Sequence, residues 1–352
     1  MRKLIIIQTV APDYRGLFFE RIKEVLTDKF ELYAGKESFE TTIQTKSKIY
    51  KKLNNHFLLK RKFLFQTGIW HLLFSNDILV LEMNPRNISN WIFLIIRKIF
   101  SKKTVLWGHA WPRNGQNSKS DFLRNLMRKL ASKIIVYTKQ QKKELQVKMP
   151  NKHILAAPNA VYRIENMKTT THNNQVNLIY VGRLVFSKKV FFMVKAFHNA
   201  LSVLPKDTKL FIVGDGEEKE KLNNYINNFK LNERITLFGH INDYLKLQNL
   251  YNDSIFSLSP GYVGLSITQS FSFGVPMLVS KNENHSPEIE AVKENENALF
   301  FKTDSEKDFI DVLNKIYRNI DFWKKQREKI VAFCKKSYST EAMAEVFINL
   351  IE

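Results

Sequence analysis

The chain of 352 residues contains a single cysteine, Cys334. That excludes an internal disulfide and any cysteine-based metal cluster, and it fits a reducing compartment. Glycine is scarce, at 12 residues, whereas phenylalanine is plentiful, at 27. No apolar run reaches the roughly 20 residues of a transmembrane helix. Trp91-Ile-Phe-Leu-Ile-Ile96 is cut off by Arg97 and Lys98. Residues 4–7 are too short for the apolar region of a signal peptide, and Gln8 follows at once, so this stretch reads as a buried strand. There is no Asp-x-Asp, no His or Cys group with metal-ligand spacing, no Walker loop and no Gly-x-Ser-x-Gly elbow. Acidic residues are also few, 34 against 55 Lys and Arg, which leaves a net charge of +21.

At 44% hydrophobic, the sequence can bury two ordinary cores. The charge admits nucleic acid, an anionic membrane face or a phosphorylated small molecule as partner, or a basic surface with no particular partner. Lys46-Ser-Lys-Ile-Tyr-Lys-Lys52 and Lys60-Arg-Lys62 interleave with Phe57, Leu58, Leu59, Phe63 and Phe65. That mixture suits an amphipathic face on anionic lipid better than a nucleic-acid groove.

Short apolar runs alternate with amphipathic stretches, the pattern of parallel sheets covered by helices. Strands are expected at 4–9, 30–34, 77–82, 104–107, 133–137 and 152–156, with a helix at 63–74 inside an otherwise unreadable stretch. A polar linker over 163–175 separates this half from a second series of strands at 177–181, 209–213, 235–238, 254–258 and 298–301. The expected domains are 1–165 and 174–337, with the final helix, 338–352, packing back on the first.

Two segments carry the chemistry. Tyr180-Val-Gly-Arg-Leu-Val-Phe-Ser-Lys-Lys189 reads as a strand running into a cationic loop. Ser259-Pro-Gly-Tyr-Val-Gly-Leu265 reads as a strand end and a glycine turn that opens a helix. Arg183 and Lys188, with the free amides after Gly264 and Leu265, make a cradle for a diphosphate. Lys189 is the other candidate in that loop; its spacing from Arg183 favours Lys188. Gly214-Asp215-Gly216 is a tight turn rather than a dinucleotide fingerprint, because Lys219 stands where the third glycine belongs.

At these residues the sequence resembles the retaining glycosyltransferases of family 4, over most of 177–301. Val181-Gly-Arg-Leu184 with Lys188 is similar to the family's donor loop. Phe211-Ile-Val-Gly214, Leu237-Phe-Gly239, Gly274-Val-Pro276, Pro287-Glu-Ile289 and Asn297-Ala-Leu-Phe300 follow in the family's order. The family's paired glutamates, eight positions apart, are here Gly261 and Gln269. Gln269 can still bind ribose hydroxyls, whereas Gly261 supplies no carboxylate.

The resemblance implies an α/β chain of the GT-B type, two Rossmann-like domains facing a central cleft. It implies donor contacts from Gly182, Arg183, Lys188, Gly239, His240, Gly261, Gly264, Leu265, Gln269 and Glu288. His240 also reads as a plain loop residue, and Glu288 as a favourable charge at a helix start. Trp107-Gly-His-Ala-Trp-Pro112 is similar to the family's histidine segment. His109 therefore joins Arg183 and Lys188 as a catalytic candidate, against a structural reading. Tyr14, Arg15, Gly16, Arg86 and Trp111 are acceptor-side candidates in loops at strand ends.

The implied activity is metal-independent, retaining transfer of a hexosyl or related sugar from a nucleotide-diphosphate donor, with no further cofactor. The acceptor would be a glycan, lipid-linked, in surface polysaccharide or lipopolysaccharide synthesis. The protein would be cytoplasmic and peripheral on the inner membrane face, without nucleic acid as partner. The missing glutamates motivate the rival reading, a non-catalytic nucleotide-sugar-binding subunit.

Overall fold

A computed structural model describes residues 2–40, 44–112, 115–170 and 175–351. Residues 171–174 of the expected linker lie outside the described residues. The chain divides into two compact units, Met1–Val161 with Tyr338–Glu352, and Tyr162–Ser337.

In the first unit the strands are β1 (Leu4–Gln8), β2 (Phe30–Ala34), β3 (Lys51–Lys52), β4 (Asn54–Leu58), β5 (Phe63–Thr67), β6 (Ile78–Glu82), β7 (Thr104–Trp107), β8 (Lys133–Val136) and β9 (His153–Ala156). Seven of them form one parallel sheet in the order β3-β2-β1-β6-β7-β8-β9. The direction of winding reverses between β1 and β6. The first helices are α1 (Gly16–Leu26), α2 (Ile88–Ile99), α3 (Asp121–Leu130) and α4 (Lys139–Lys148).

Successive strand residues point to opposite faces, which divides the core in two. Leu4, Ile6, Val80 and Trp107 pack with Phe18 of α1 and Phe347 of the C-terminal helix Thr340–Ile348. Ile5, Ile7, Leu79 and Leu81 pack with Phe93 of α2, Met127 of α3 and Leu145 of α4. Trp107 meets Phe347 edge to face at 4.8 Å, and Phe18 meets Phe347 at 5.0 Å.

The stretch expected to be helical at 63–74 is instead β5, paired antiparallel with β4, followed by a short 3-10 turn at Trp70–Leu72. The reason lies in the turn of this hairpin. Leu59, Lys60 and Arg61 all adopt left-handed conformations without a glycine or asparagine to announce them. The apolar residues of the amphipathic mixture read at 57–65 thus stand on a hairpin, where Leu59 is 71% exposed.

Arg97 of α2 is fully buried. Its guanidinium donates to the carbonyls of Leu72, Leu73, Ser75, Asp77 and Lys103 and to the Thr104 hydroxyl. One cation thus ties α2 to the loops preceding β6 and β7. Arg97→Ala would leave those carbonyls without their donor, so it should destabilise the protein by about 3–5 kcal/mol, the scale of breaking a buried charge network. Urea unfolding would measure this, and a loss below about 1 kcal/mol, the worth of one ordinary hydrogen bond, would contradict the assignment.

The second unit contains β10 (Asn177–Val181), β11 (Leu210–Val213), β12 (Ile235–Gly239), β13 (Ser254–Ser259), β14 (Met277–Ser280) and β15 (Ala298–Phe301). They form a parallel sheet in the order β12-β11-β10-β13-β14-β15, the doubly wound Rossmann order, with its switch between β10 and β13. The helices are α5 (Val190–Ala200), α6 (Lys219–Asn228), α7 (Tyr244–Asn252), α8 (Ser266–Ser272), α9 (Glu306–Arg318) and α10 (Ile320–Tyr338). Cys334 is buried in this unit beside Ser272, and burial pushes its thiol up to about 12, so it is inert.

Candidate functional site

In open parallel sheets, ligands gather at the carboxyl ends of the strands on either side of the switch. In the second unit those ends are the loops after β10 and β13, where Arg183, Lys188 and Gly261 lie.

The floor is close-packed backbone. Gly214 (φ 147°) follows β11, and a Cβ there would stand 1.8 Å from the Gly182 carbonyl oxygen. The Leu184 amide donates to the Asp215 carbonyl, and the Gly214 amide to that of Gly239. The ends of β10, β11 and β12 are thereby fixed side by side. His240 continues from β12 as an exposed residue whose charge interacts with Asp215.

The two loops at the switch are joined directly. Tyr262 donates its amide to the Ser187 carbonyl at 3.2 Å, and Lys188 donates from Nζ to the Tyr262 carbonyl at 2.6 Å. A Cβ on Gly261 would lie 2.5 Å from the Ser187 carbonyl oxygen. Position 261 is therefore closed to any side chain by the backbone of the cationic loop.

The charges here are unbalanced. Lys189 is committed to Glu283 and Asp304, each at 2.7 Å. Lys188, by contrast, has no carboxylate partner among the described residues, and the Arg183 guanidinium is exposed without an ion pair there. Burial and then Arg183 push the Lys188 ammonium down to about 8. Two cations that disfavour each other, with no counterion, form a site prepared for an anion.

Beyond them, the Val263 amide donates to Nδ1 of His285, whose Nε2 faces the Ser280 carbonyl at 2.8 Å. That pairing requires a neutral imidazole with its proton on Nε2. Burial, in the first place, and Lys188 hold the His285 pKa below its ordinary value. Tyr262 and Ser286 join through their hydroxyls, and Ser286 also lies against Gly264. The amides of Gly264 and Leu265 have no acceptor among the described residues. The helix they open, α8, has only seven residues, so little dipole stands behind them. Gln269, on α8, donates to the Tyr162 hydroxyl at 3.0 Å. Glu288 is buried in the 3-10 turn Pro287–Ala291, which packs on α8.

The first unit has its own pocket at its own switch, with a volume of about 490 Å³. It brings together Tyr14, Arg15, Arg86 and His109; Gly16 and Trp111 lie outside its lining. Arg15 donates to Gln8 and to the Tyr137 hydroxyl and stacks on Trp107. Arg86 lies over Phe39 and donates to the Arg61 and Lys62 carbonyls. Trp111 donates from Nε1 to Glu144 of α4, and Gly16 opens α1. His109 packs against Tyr137 at the rim. Burial, Arg124 and Arg15 hold its pKa down to about 4, so the ring is neutral at physiological pH.

Of the groups that line this pocket, sequence reasoning missed Arg124 and Tyr137, and placed Glu82 only as the start of the strand-end loop to Arg86. The Glu82 carboxylate accepts from the amide and the hydroxyl of Thr9, and burial raises its pKa. Arg124 spans the β6 and β7 ends by donating to the carbonyls of Met83 and His109. The available signal was position, because Glu82 ends β6 and Tyr137 follows β8. Among the described residues no group of three His, Cys, Asp or Glu side chains is placed to hold a metal ion.

Comparison with known proteins fits this geometry. Residues 163–336, inside the second unit, match the family model described as glycosyl transferases group 1. An uncharacterized glycosyltransferase of Methanocaldococcus jannaschii is 27% identical over 229 residues, which span 58% of this chain and 55% of that relative. HepE of Anabaena, solved in complex with UDP, superposes with a TM-score of 0.73 at 14% identity, covering 100% of this chain and 99% of that one. The lipopolysaccharide outer core galactosyltransferase WaaB superposes with a TM-score of 0.67 at 16% identity, covering 99% and 98%. Residues 163–336 are thus a glycosyl transferases group 1 domain, in a chain of the two-domain, Rossmann-like GT-B fold.

Proposed function

We propose that the protein is a retaining glycosyltransferase whose second unit binds a nucleoside-diphosphate hexose or related sugar. The observation that carries this reading is the pair Arg183 and Lys188, uncompensated cations at the switch of a Rossmann sheet. The likeness to HepE, solved with UDP, makes UDP-sugars the first donors to test. Arg183 binds the diphosphate through its planar fork, and Lys188 turns from the Tyr262 carbonyl to a phosphate oxygen. Both stabilise the charge that grows on the leaving diphosphate. In a front-side displacement the acceptor oxygen bonds to the anomeric carbon as the bond to the diphosphate breaks. A departing phosphate oxygen takes the acceptor proton, so no protein nucleophile and no metal ion are needed.

The first unit's pocket, with aromatic faces at Tyr14, Phe39 and Trp107 and polar groups at Glu82, Asn84 and Arg86, takes the acceptor glycan. A neutral His109 at its rim offers a hydrogen bond to a sugar hydroxyl. A lipid-linked acceptor in surface polysaccharide or lipopolysaccharide assembly suits the basic chain and a position at the cytoplasmic membrane face.

Two measurements test this together. Nuclear magnetic resonance of the product from a UDP-hexose and an acceptor glycan should show the donor's anomeric configuration retained; inversion would exclude the mechanism. The pH dependence of UDP affinity follows from Lys188. Below about pH 8 the ammonium is already charged, so affinity is flat. Above that value a proton must be taken up on binding, and affinity falls about tenfold per pH unit. Lys188→Met should abolish the slope. Binding with no transfer to any acceptor would favour the non-catalytic subunit, for which the closed position at Gly261 is the motive.

A further inference from the structure

Two neighbouring helices of the first unit bury apolar residues against the sheet and carry further apolar residues outward. On α2 the inward residues are Ser89, Asn90, Phe93, Leu94 and Arg97, while Ile95 and Ile99 are exposed beside the half-buried Ile92 and Ile96, with Ile99 70% exposed. On α3 the buried Asp121 pairs with the buried Arg128, and Phe122, Leu123 and Leu126 face out, with Phe122 67% exposed. The helices pack against each other, and the exposed Phe74 and Phe100 extend the surface, edge to face at 5.1 Å. Scattered apolar residues on a surface are ordinary, but large apolar side chains this exposed on two helices packed together mark an interaction face.

Its charge identifies the partner. Residues 88–131 contain nine Lys and Arg and one acidic residue, Asp121, which is spent on Arg128 and Lys148. Lys98, Lys103, Lys119 and Lys129 are exposed, and Lys98 lies near enough to lower the pKa of Lys152. A second copy would bring a like-charged rim and a further +21 against this one. An anionic bilayer meets both demands, taking isoleucine and phenylalanine into the headgroup boundary and lysines at its phosphates. No described helix is long and apolar enough to cross a membrane, so the contact is one of surface docking.

We propose that α2 and α3 form a face by which the protein docks on an anionic lipid bilayer. This face is separate from the basic hairpin at β4 and β5, and it does not depend on the donor-site reading. Its test is co-sedimentation of the full chain with vesicles of phosphatidylcholine alone, and of phosphatidylcholine containing one third phosphatidylglycerol. The wild type should bind the anionic vesicles and bind them less as salt is raised. The double variant Ile99→Gln, Phe122→Gln should bind about tenfold less or weaker, because affinity follows the apolar area inserted. Its melting temperature and UDP titration should match the wild type, since both side chains are exposed and neither lies in a described pocket. Wild-type-like vesicle binding by the variant overturns the proposal, as does a wild type that binds no vesicle. If the wild type instead proves to be a dimer that the two substitutions dissociate, the face serves self-association and the lipid assignment is wrong.

Discussion

Arg183→Ala should weaken UDP binding by roughly 10- to 150-fold, the equivalent of about 1.5–3 kcal/mol for hydrogen bonds to a charged group. The protein's melting temperature should not fall. Arg183 is exposed and holds no carboxylate among the described residues, so its removal orphans nothing in the folded chain. It should relieve Lys188 instead, whose ammonium is disfavoured by the neighbouring guanidinium. A modest gain in stability with a large loss of affinity is the signature of a cation kept for a ligand. Arg183→Lys should recover only part of the loss, because a point charge cannot make the paired contact of the fork. Calorimetric titration of both variants measures this, and an unchanged affinity in Arg183→Ala would remove the guanidinium from the site.

The second large effect is expected at Gly261. Installing a carboxylate by Gly261→Glu should abolish UDP binding rather than improve it. The new Cβ would stand 2.5 Å from the Ser187 carbonyl oxygen and 2.9 Å from the Lys188 carbonyl carbon. These are backbone atoms and cannot rotate away. The loop after β10 must therefore move, breaking the contacts of Ser187 and Lys188 with Tyr262. Overpacking of this kind costs about 1–3 kcal/mol of stability. Gly261→Ala, which adds the clashing atom without the charge, should already show most of the effect. A glutamate variant that binds UDP more tightly would mean that the loop is free to retreat. The glycine would then be a lost carboxylate and not a fitted one.

The same pair of loops shows what could be read from the chain and what could not. The two-domain Rossmann architecture was legible, because buried parallel strands such as Ile78–Glu82 and Leu210–Val213 are nearly continuous apolar runs bounded by turns. The β4–β5 hairpin was not, since its turn uses left-handed Leu59, Lys60 and Arg61 and its strands mix charge with apolar residues. In the second unit, the positions of Arg183 and Lys188 followed from motif spacing. The tie from Lys188 to Tyr262 did not, because it joins loops 74 residues apart that meet only through sheet order. The commitment of Lys189 to Glu283 and Asp304, which separates two adjacent lysines, is likewise a matter of tertiary contact. In the first unit Glu82 and Tyr137 sat at strand ends in plain view. Nothing in the sequence says that Arg15 lies between them, shielded by Trp107.

The central claim is that the loops after β10 and β13 hold a nucleoside diphosphate. It is tested most directly by isothermal titration of UDP and of GDP into the wild-type chain near pH 7, where Lys188 is charged. One of the two should bind at a single site, with a proton taken up as the titration is repeated above pH 8. Failure of either nucleotide to bind would contradict the account and leave Arg183 and Lys188 as surface charge beside a well-packed turn.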